Sequence, residues 1–118
     1  VEPTILCNVN DGMRIFKEEI FGPIAPIYKF SSEDDAIAMA NDTEYGLAAY
    51  LYTSDQGRAW RVAEGIDYGM VGINETLVAS AYMPFGGVKE SGQGREGAHH
   101  GIDEYVETKY LCFGNLGK

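Results

Sequence analysis

The 118-residue chain is poor in basic residues, cysteine, histidine and long apolar runs, and each shortage excludes something. Nine Lys and Arg stand against eighteen Asp and Glu, a net charge of −9. Such a surface repels phosphate, so nucleic acid and anionic membranes are not expected partners. No apolar stretch approaches the roughly 20 residues of a bilayer-spanning helix, and the opening residues do not read as a signal peptide. The two cysteines, Cys7 and Cys112, lie near opposite ends of the chain without C-x-x-C spacing, which is no disulfide framework. They are expected to be buried thiols in a reducing cytosol, giving a cytoplasmic protein. Neither "TILCNVN" nor "KYLCFGN" shows the base and electropositive setting that a catalytic thiolate needs. The two histidines, His99 and His100, are adjacent on an expected helix. They should therefore point apart and form a wet surface rather than a metal site. The acidic run Glu33-Asp34-Asp35 reads as a helix start, and no metal is expected there either.

What is present is the composition of one globular domain, 45% hydrophobic and 23% charged. A chain of this size is able to bury roughly two-thirds of its unfolded surface, so a real core is expected. "PTILCNV" has strand character, and "GMRIFKEEIF" reads as a short helix or turn. "PIAPIYKF" (Pro23 to Phe30) reads as a strand whose beginning lies at an edge or outside the ladder, because Pro23 and Pro26 have no N–H. A helix follows in "SSEDDAIAMAND", with Ser32 as cap and Asp35 three residues on. "LAAYLYT" is the next strand. Ala59, Val62, Ala63 and Ile66 then form one helical stripe, with Asp55 as the cap. "GMVGIN" supplies a third strand. The order implies an α/β fold with a parallel βαβαβ sheet and flanking helices. Residues 75–91 have neither helical nor strand period, the mark of a functional or mobile loop. "REGAHHGIDEYVET" reads as a helix and "KYLCFG" as a final strand.

"SGQGREG" (Ser91 to Gly97) contains a literal G-x-G-x-x-G. A pyrophosphate-cradling loop must leave a strand and enter a helix, with an acidic residue about 20 positions on at the end of a second strand. Here "PFGGVKES" precedes the glycines, and the acidic position falls near Cys112. The string is therefore not read as a dinucleotide fingerprint.

The longer string "PFGGVKESGQGRE" resembles the C-terminal signature of the aldehyde dehydrogenase family. "KEEIFGP" (Lys17 to Pro23) is similar to its E-E-x-F-G-P motif and "ANDTEYGLAA" (Ala40 to Ala49) to its A-N-x-T-x-Y-G-L-A motif, in the same order. The resemblance runs from about "EPTIL" to "KYLCFG". Within the family, "GLAAYLY", "YGMVGIN" and "GREGAHHGIDEYVETKYLC" are similar to members that oxidise succinate semialdehyde.

The resemblance implies oxidation of an aldehyde to an acid with NAD or NADP. A Cys thiolate attacks the carbonyl, hydride passes to the nicotinamide, water hydrolyses the thioester and a Glu acts as base. The motifs that carry that Cys and Glu are missing from this chain, as is the Rossmann half that holds most of the cofactor. The chain is expected to be the last part of such an enzyme, inactive alone: residues 1–107 the end of the catalytic domain, 108–118 an oligomerisation strand and tail. Isolated, it should expose the apolar surface that faces the remainder of the same polypeptide, and it should associate into oligomers. Glu19 aligns with the carboxylate that holds the nicotinamide ribose, and Phe21 with the aromatic wall beside the ring; a solvated Glu and a core Phe are the plainer alternatives. Phe85 matches a residue of the aldehyde channel, with a buried loop anchor as the alternative. Where members acting on succinate semialdehyde place a Ser that binds the substrate carboxylate, this chain has Ala79, with Ser80 next to it. Arg95 and Glu107 match charges that pair in family oligomers. The expected substrate is a small aldehyde, a semialdehyde bearing a carboxylate. A free-standing α/β binding or oligomerisation module without catalysis is the competing reading.

Overall fold

The computed structural model describes residues 1–117. The chain divides into two units, one of Val1–Glu44 with Ser54–Asp67 and one of Tyr45–Thr53 with the chain from Tyr68 onward.

In the first unit, strand β1 (Thr4–Leu6) pairs in parallel with β2 (Ile24–Pro26), Thr4 opposite Ile24, with the short helix α1 (Arg14–Lys17) between them in sequence. Pro23 stays outside the ladder and Pro26 ends it, as residues without N–H must. Helix α2 (Glu33–Asn41) begins where Ser32 Oγ accepts the Asp35 N–H at 3.1 Å, and α3 (Gln56–Gly65) where Asp55 accepts the Arg58 N–H at 2.9 Å. The acidic run forms the first turn of α2. Its Glu33 also accepts from Arg58 Nε at 3.2 Å and from Arg61 Nε and Nη2 at 2.8 and 3.0 Å, clipping the two helices together. At their other ends Asn41 donates to the Gly65 carbonyl at 2.8 Å and accepts from the Asp67 N–H at 2.7 Å. A Cβ on Gly65 would stand 3.0 Å from Ile37 Cδ1, so the helices approach closely there and a larger residue would require the Ile37 side chain to shift. The stripe Ala59, Val62 and Ala63 is half-buried and its last member, Ile66, is 8% exposed.

In the second unit β4 (Ala48–Leu51) pairs in parallel with β5 (Met70–Ile73), Ala48 opposite Met70 and Leu51 opposite Ile73. Two two-residue strands, β3 (Tyr45–Gly46) and β6 (Val88–Lys89), pair antiparallel. Gly46 is buried and held at both backbone groups: its N–H donates to Ser91 Oγ at 2.9 Å and its carbonyl accepts from Gly69 at 3.0 Å. The chain ends in a 3₁₀ helix, His99–Tyr105, followed by irregular backbone.

Several expectations are corrected. The parallel steps form, but not as one βαβαβ sheet: the strand at Pro23–Phe30 shrinks to three residues and pairs with β1, while β4 and β5 pair with each other. Pro26, the last residue of β2, has no N–H to donate, and pairing to β1 ends after one further bond, from the Ile27 N–H to the Leu6 carbonyl at 2.8 Å. The helix read across "REGAHHGIDEYVET" is a 3₁₀ segment that starts only at His99, because Gly97 (φ +71°) and Ala98 (φ +47°) turn the chain out of helical geometry. "KYLCFG" is not a strand; a strand needs a ladder partner, and among the described residues it has none. The last residue of the expected tail, 118, lies outside the described residues. Both cysteines are exposed rather than buried. His99 and His100 do not point apart: their ring centroids lie 3.9 Å from each other with the planes tilted by 36°. The expected core is thin. Among the described residues the buried apolar side chains are Ile66 and Met70, one in each unit.

Candidate functional site

In the first unit the "KEEIFGP" segment leaves α1 and runs toward β2. Its two neighbouring carboxylates differ in what they are free to do. Arg14 grips Glu18 with two donors, Nε and Nη2, each at 2.7 Å. That fork holds the Glu18 carboxyl below the ordinary glutamate value. Glu19, one residue on, is exposed, and among the described residues no side chain or backbone donor engages its carboxylate. Phe21 presents its ring to solvent at 95% exposure. Glu19 thus offers a carboxylate with its acceptor positions open, two residues from the exposed Phe21 ring.

In the second unit the substrate-side candidates come together in part. A cavity of about 200 Å³ opens between Tyr50 and Met70 of the β4–β5 pair, the loop residues Leu77 and Ala79, and Phe85. Phe85 is half-buried and fixed by an isolated bridge, exchanging N–H···O bonds of 2.8 Å with Glu96 in both directions. Ala79 and Phe85 therefore share one apolar cleft. Ser80 does not line it: its Oγ accepts from the Tyr82 N–H at 3.3 Å and its carbonyl from the Met83 N–H at 3.2 Å, in a turn. Leu77, on the cleft, is 78% exposed. The residues leading into this loop, Asn74 and Glu75, were not singled out by sequence reasoning. The Glu75 carboxylate accepts the Leu77 and Thr76 N–H groups, which hold its carboxyl below the ordinary value. The adjacency of Asn and Glu to an irregular loop was the signal that could have found them.

The glycine string has a different use from phosphate binding. It follows the two-residue β6 and leads to the Phe85–Glu96 bridge and a 3₁₀ segment, with no α-helix N-terminus at its end. Gly94 (φ +77°) packs its Cα face against the Glu104 carboxylate, and a Cβ on Gly97 would lie 2.6 Å from the Met83 carbonyl. The glycines thus permit left-handed turns and tight loop packing around Phe85. Arg95 lies within this loop, donating from Nη1 to the Gly87 and Gly94 carbonyls at 2.7 and 2.6 Å. Glu107 is exposed beyond the 3₁₀ helix. Glu19 and Phe21 belong to the first unit, and Ala79, Ser80, Phe85, Arg95 and Glu107 to the second.

Residues 1–111 match the profile of the Aldehyde dehydrogenase family. The chain belongs to this family. It is 56% identical over 115 residues to the mitochondrial succinate-semialdehyde dehydrogenase of Oryza sativa subsp. japonica, a match covering 98% of this chain and 22% of that protein. The crystal structure of succinate-semialdehyde dehydrogenase from Burkholderia pseudomallei superposes with a TM-score of 0.91 at 60% identity, covering 95% of this chain and 23% of that one. A point mutant of betaine aldehyde dehydrogenase from Staphylococcus aureus, solved in complex with NAD+, superposes with a TM-score of 0.87 at 44% identity, covering 92% of this chain and 22% of that one. The chain thus spans little more than a fifth of the aldehyde dehydrogenases it matches. Its three two-stranded sheets are a mixed α/β part of that larger fold.

Proposed function

We propose that this chain is the C-terminal part of an NAD(P)-dependent aldehyde dehydrogenase that oxidises succinate semialdehyde to succinate. Residues 1–107 complete the catalytic domain and 108–118 form the oligomerisation strand and tail. The observation that carries the reading is the match, over nearly the whole chain, to enzymes named succinate-semialdehyde dehydrogenase.

Each part of the chain then has a role. Glu19, left free beside the Arg14-bound Glu18, accepts the ribose hydroxyls of the nicotinamide half. Phe21 covers one face of the ring, and its exposure in this chain is the surface the cofactor takes. NAD(P)+, which the rest of the polypeptide would mainly hold, would supply the hydride acceptor. Phe85 and Ala79 wall the aldehyde's path with apolar surface, excluding water from the reacting carbonyl. Ser80 flanks that wall. Arg95 and Glu107 tie the C-terminal segment into the oligomer, and residues 108–114 gain in a neighbouring subunit the ladder partner that this chain does not supply. The nucleophile and base come from the remainder of the polypeptide, so this segment alone turns over no substrate. Two free, exposed thiols suit a reducing compartment, and we place the protein in the cytoplasm.

The test is reduced-nicotinamide formation by the intact protein, with NAD+ and NADP+ in turn, comparing succinate semialdehyde with uncharged unbranched aldehydes. Preference for succinate semialdehyde supports the reading. Activity confined to uncharged aldehydes removes the substrate assignment, and inactivity toward all aldehydes leaves the binding or oligomerisation module in its place.

A further inference from the structure

We propose that Asn74, acting with Glu75, is the positioning residue of the substrate-side loop, setting the place of Leu77 and Ala79 in the cleft opposite Phe85. The inference rests on the function proposed above and deepens it.

The β4–β5 ladder ends at the pair Leu51 and Ile73. Asn74 donates its N–H to the Leu51 carbonyl at 2.9 Å and then leaves the strand, with φ +55°. Backbone pairing stops there, but its side chain continues it. Oδ1 accepts the Thr53 N–H and Nδ2 donates to the Thr53 carbonyl, both at 2.9 Å. A carboxamide presents an acceptor and a donor side by side, as a peptide edge does. Asn is also among the few residues besides glycine that enter the left-handed region readily. One residue therefore turns the chain and clamps the turn to the neighbouring strand. Glu75 fixes the next step, its Oε1 accepting the N–H groups of Thr76 and Leu77 at 2.8 and 2.9 Å. The Glu75 carbonyl lies against Gly72, where any Cβ would collide with it, so the loop folds back over β5. Thr76, Leu77 and Ala79 follow directly and line the cleft with Tyr50 and Phe85. Nothing else between Glu75 and Ala79 fixes the loop with side-chain hydrogen bonds in the described structure, so Asn74 and Glu75 set the fraction of molecules whose cleft is formed.

A substrate that binds only the formed cleft has its apparent affinity lowered by that fraction. In the intact enzyme, Asn74→Ala removes two hydrogen bonds and the tolerance for positive φ. It should raise KM for the aldehyde about tenfold, with KM for the nicotinamide nucleotide unchanged and kcat within about twofold. Asn74→Gly keeps the turn but not the clamp and should raise the same KM. Glu75→Ala should raise it several-fold, and Glu75→Gln, which retains an acceptor oxygen, should recover most of that loss. Hydrogen exchange at Thr76 and Leu77 should quicken in Asn74→Ala and Glu75→Ala. An aldehyde KM unchanged in Asn74→Gly and Glu75→Ala overturns the proposal, as does an equal rise in both KM values. If Asn74→Ala does not fold, the Glu75 pair decides. If the unsubstituted enzyme oxidises no aldehyde, the proposed function fails, and exchange at Thr76 and Leu77 still decides whether the two residues order the loop.

Discussion

Replacing Asn41 by Ala removes a side chain that bridges the ends of α2 and α3 with two hydrogen bonds. Its amide donates to the Gly65 carbonyl at 2.8 Å, a part-buried bond, and accepts the Asp67 N–H at 2.7 Å, an exposed one. The Gly65 carbonyl belongs to the last turn of α3, whose final carbonyls have no helical donor. Each such bond contributes about 1 kcal/mol net, so the variant should lose up to about 2 kcal/mol locally. An opening equilibrium shifted by that amount speeds amide exchange about 30-fold. Hydrogen exchange on the intact protein should show this at Asp67 and the last turn of α3, and not in the β4–β5 pair. Asn41→Asp keeps the acceptor for Asp67 but sets a carboxylate against a carbonyl at a helix C-terminus, and should open at least as readily as the alanine variant above neutral pH. Unchanged exchange at Asp67 in Asn41→Ala would refute the reasoning, because the bonds would then hold nothing.

Other outcomes are expected. The Arg61 hydrogen bond, with Arg58 adding, holds the Glu33 carboxyl below its ordinary value. A depressed folded-state value means stability present above the ordinary glutamate range and lost as pH falls through the depressed one; an acid titration of α2 and α3 should flatten in Glu33→Gln, and an unchanged titration would dismiss the clip. Ala79→Ser places a hydroxyl in the apolar cleft and should lower KM for a carboxylate-bearing aldehyde several-fold while leaving uncharged aldehydes unaffected, as read in steady-state kinetics. Gly97→Ala meets both a φ of +71° and the Met83 carbonyl, and should cost about 2 kcal/mol or more in the denaturation midpoint of the intact protein; a cost near zero would mean the loop is not packed as described.

The helices were legible because their signals are local. Ser32 and Asp55 stand as caps at the first residue outside each helix, and the stripe ending at Ile66 faces inward as its spacing requires. The existence of β1, β2, β4 and β5 was legible for the same reason, but "KYLCFG" was read as a strand and is not one, and strand pairing was not legible. Which of β1, β4 or β5 accompanies β2 depends on distant chain, and β3 and β6 are too short to show a period. The turn from Gly97 to Ala98 hides from a helical reading of "REGAHHGIDEYVET" because backbone φ at Ala98 leaves no compositional trace. The expected core failed for a physical reason visible in the exposed side chains. The apolar residues of a family member are distributed for burial by a polypeptide several times longer than this chain. In the candidate site, Glu19 and Phe21 were reached through motif resemblance alone. What separates Glu19 from Glu18 is the reach of Arg14 one helical turn back, an i, i+4 pair that explains why the first carboxylate is occupied and the second is not.

The measurement closest to the central claim is single-turnover hydride transfer in the intact protein, comparing Glu19→Gln with Glu18→Gln. Loss of a charge-assisted acceptor should slow transfer about 10- to 100-fold in Glu19→Gln, while Glu18→Gln, whose partner is Arg14, leaves the rate unchanged. Equal rates in both variants, or slowing confined to Glu18→Gln, would contradict a cofactor role for this segment.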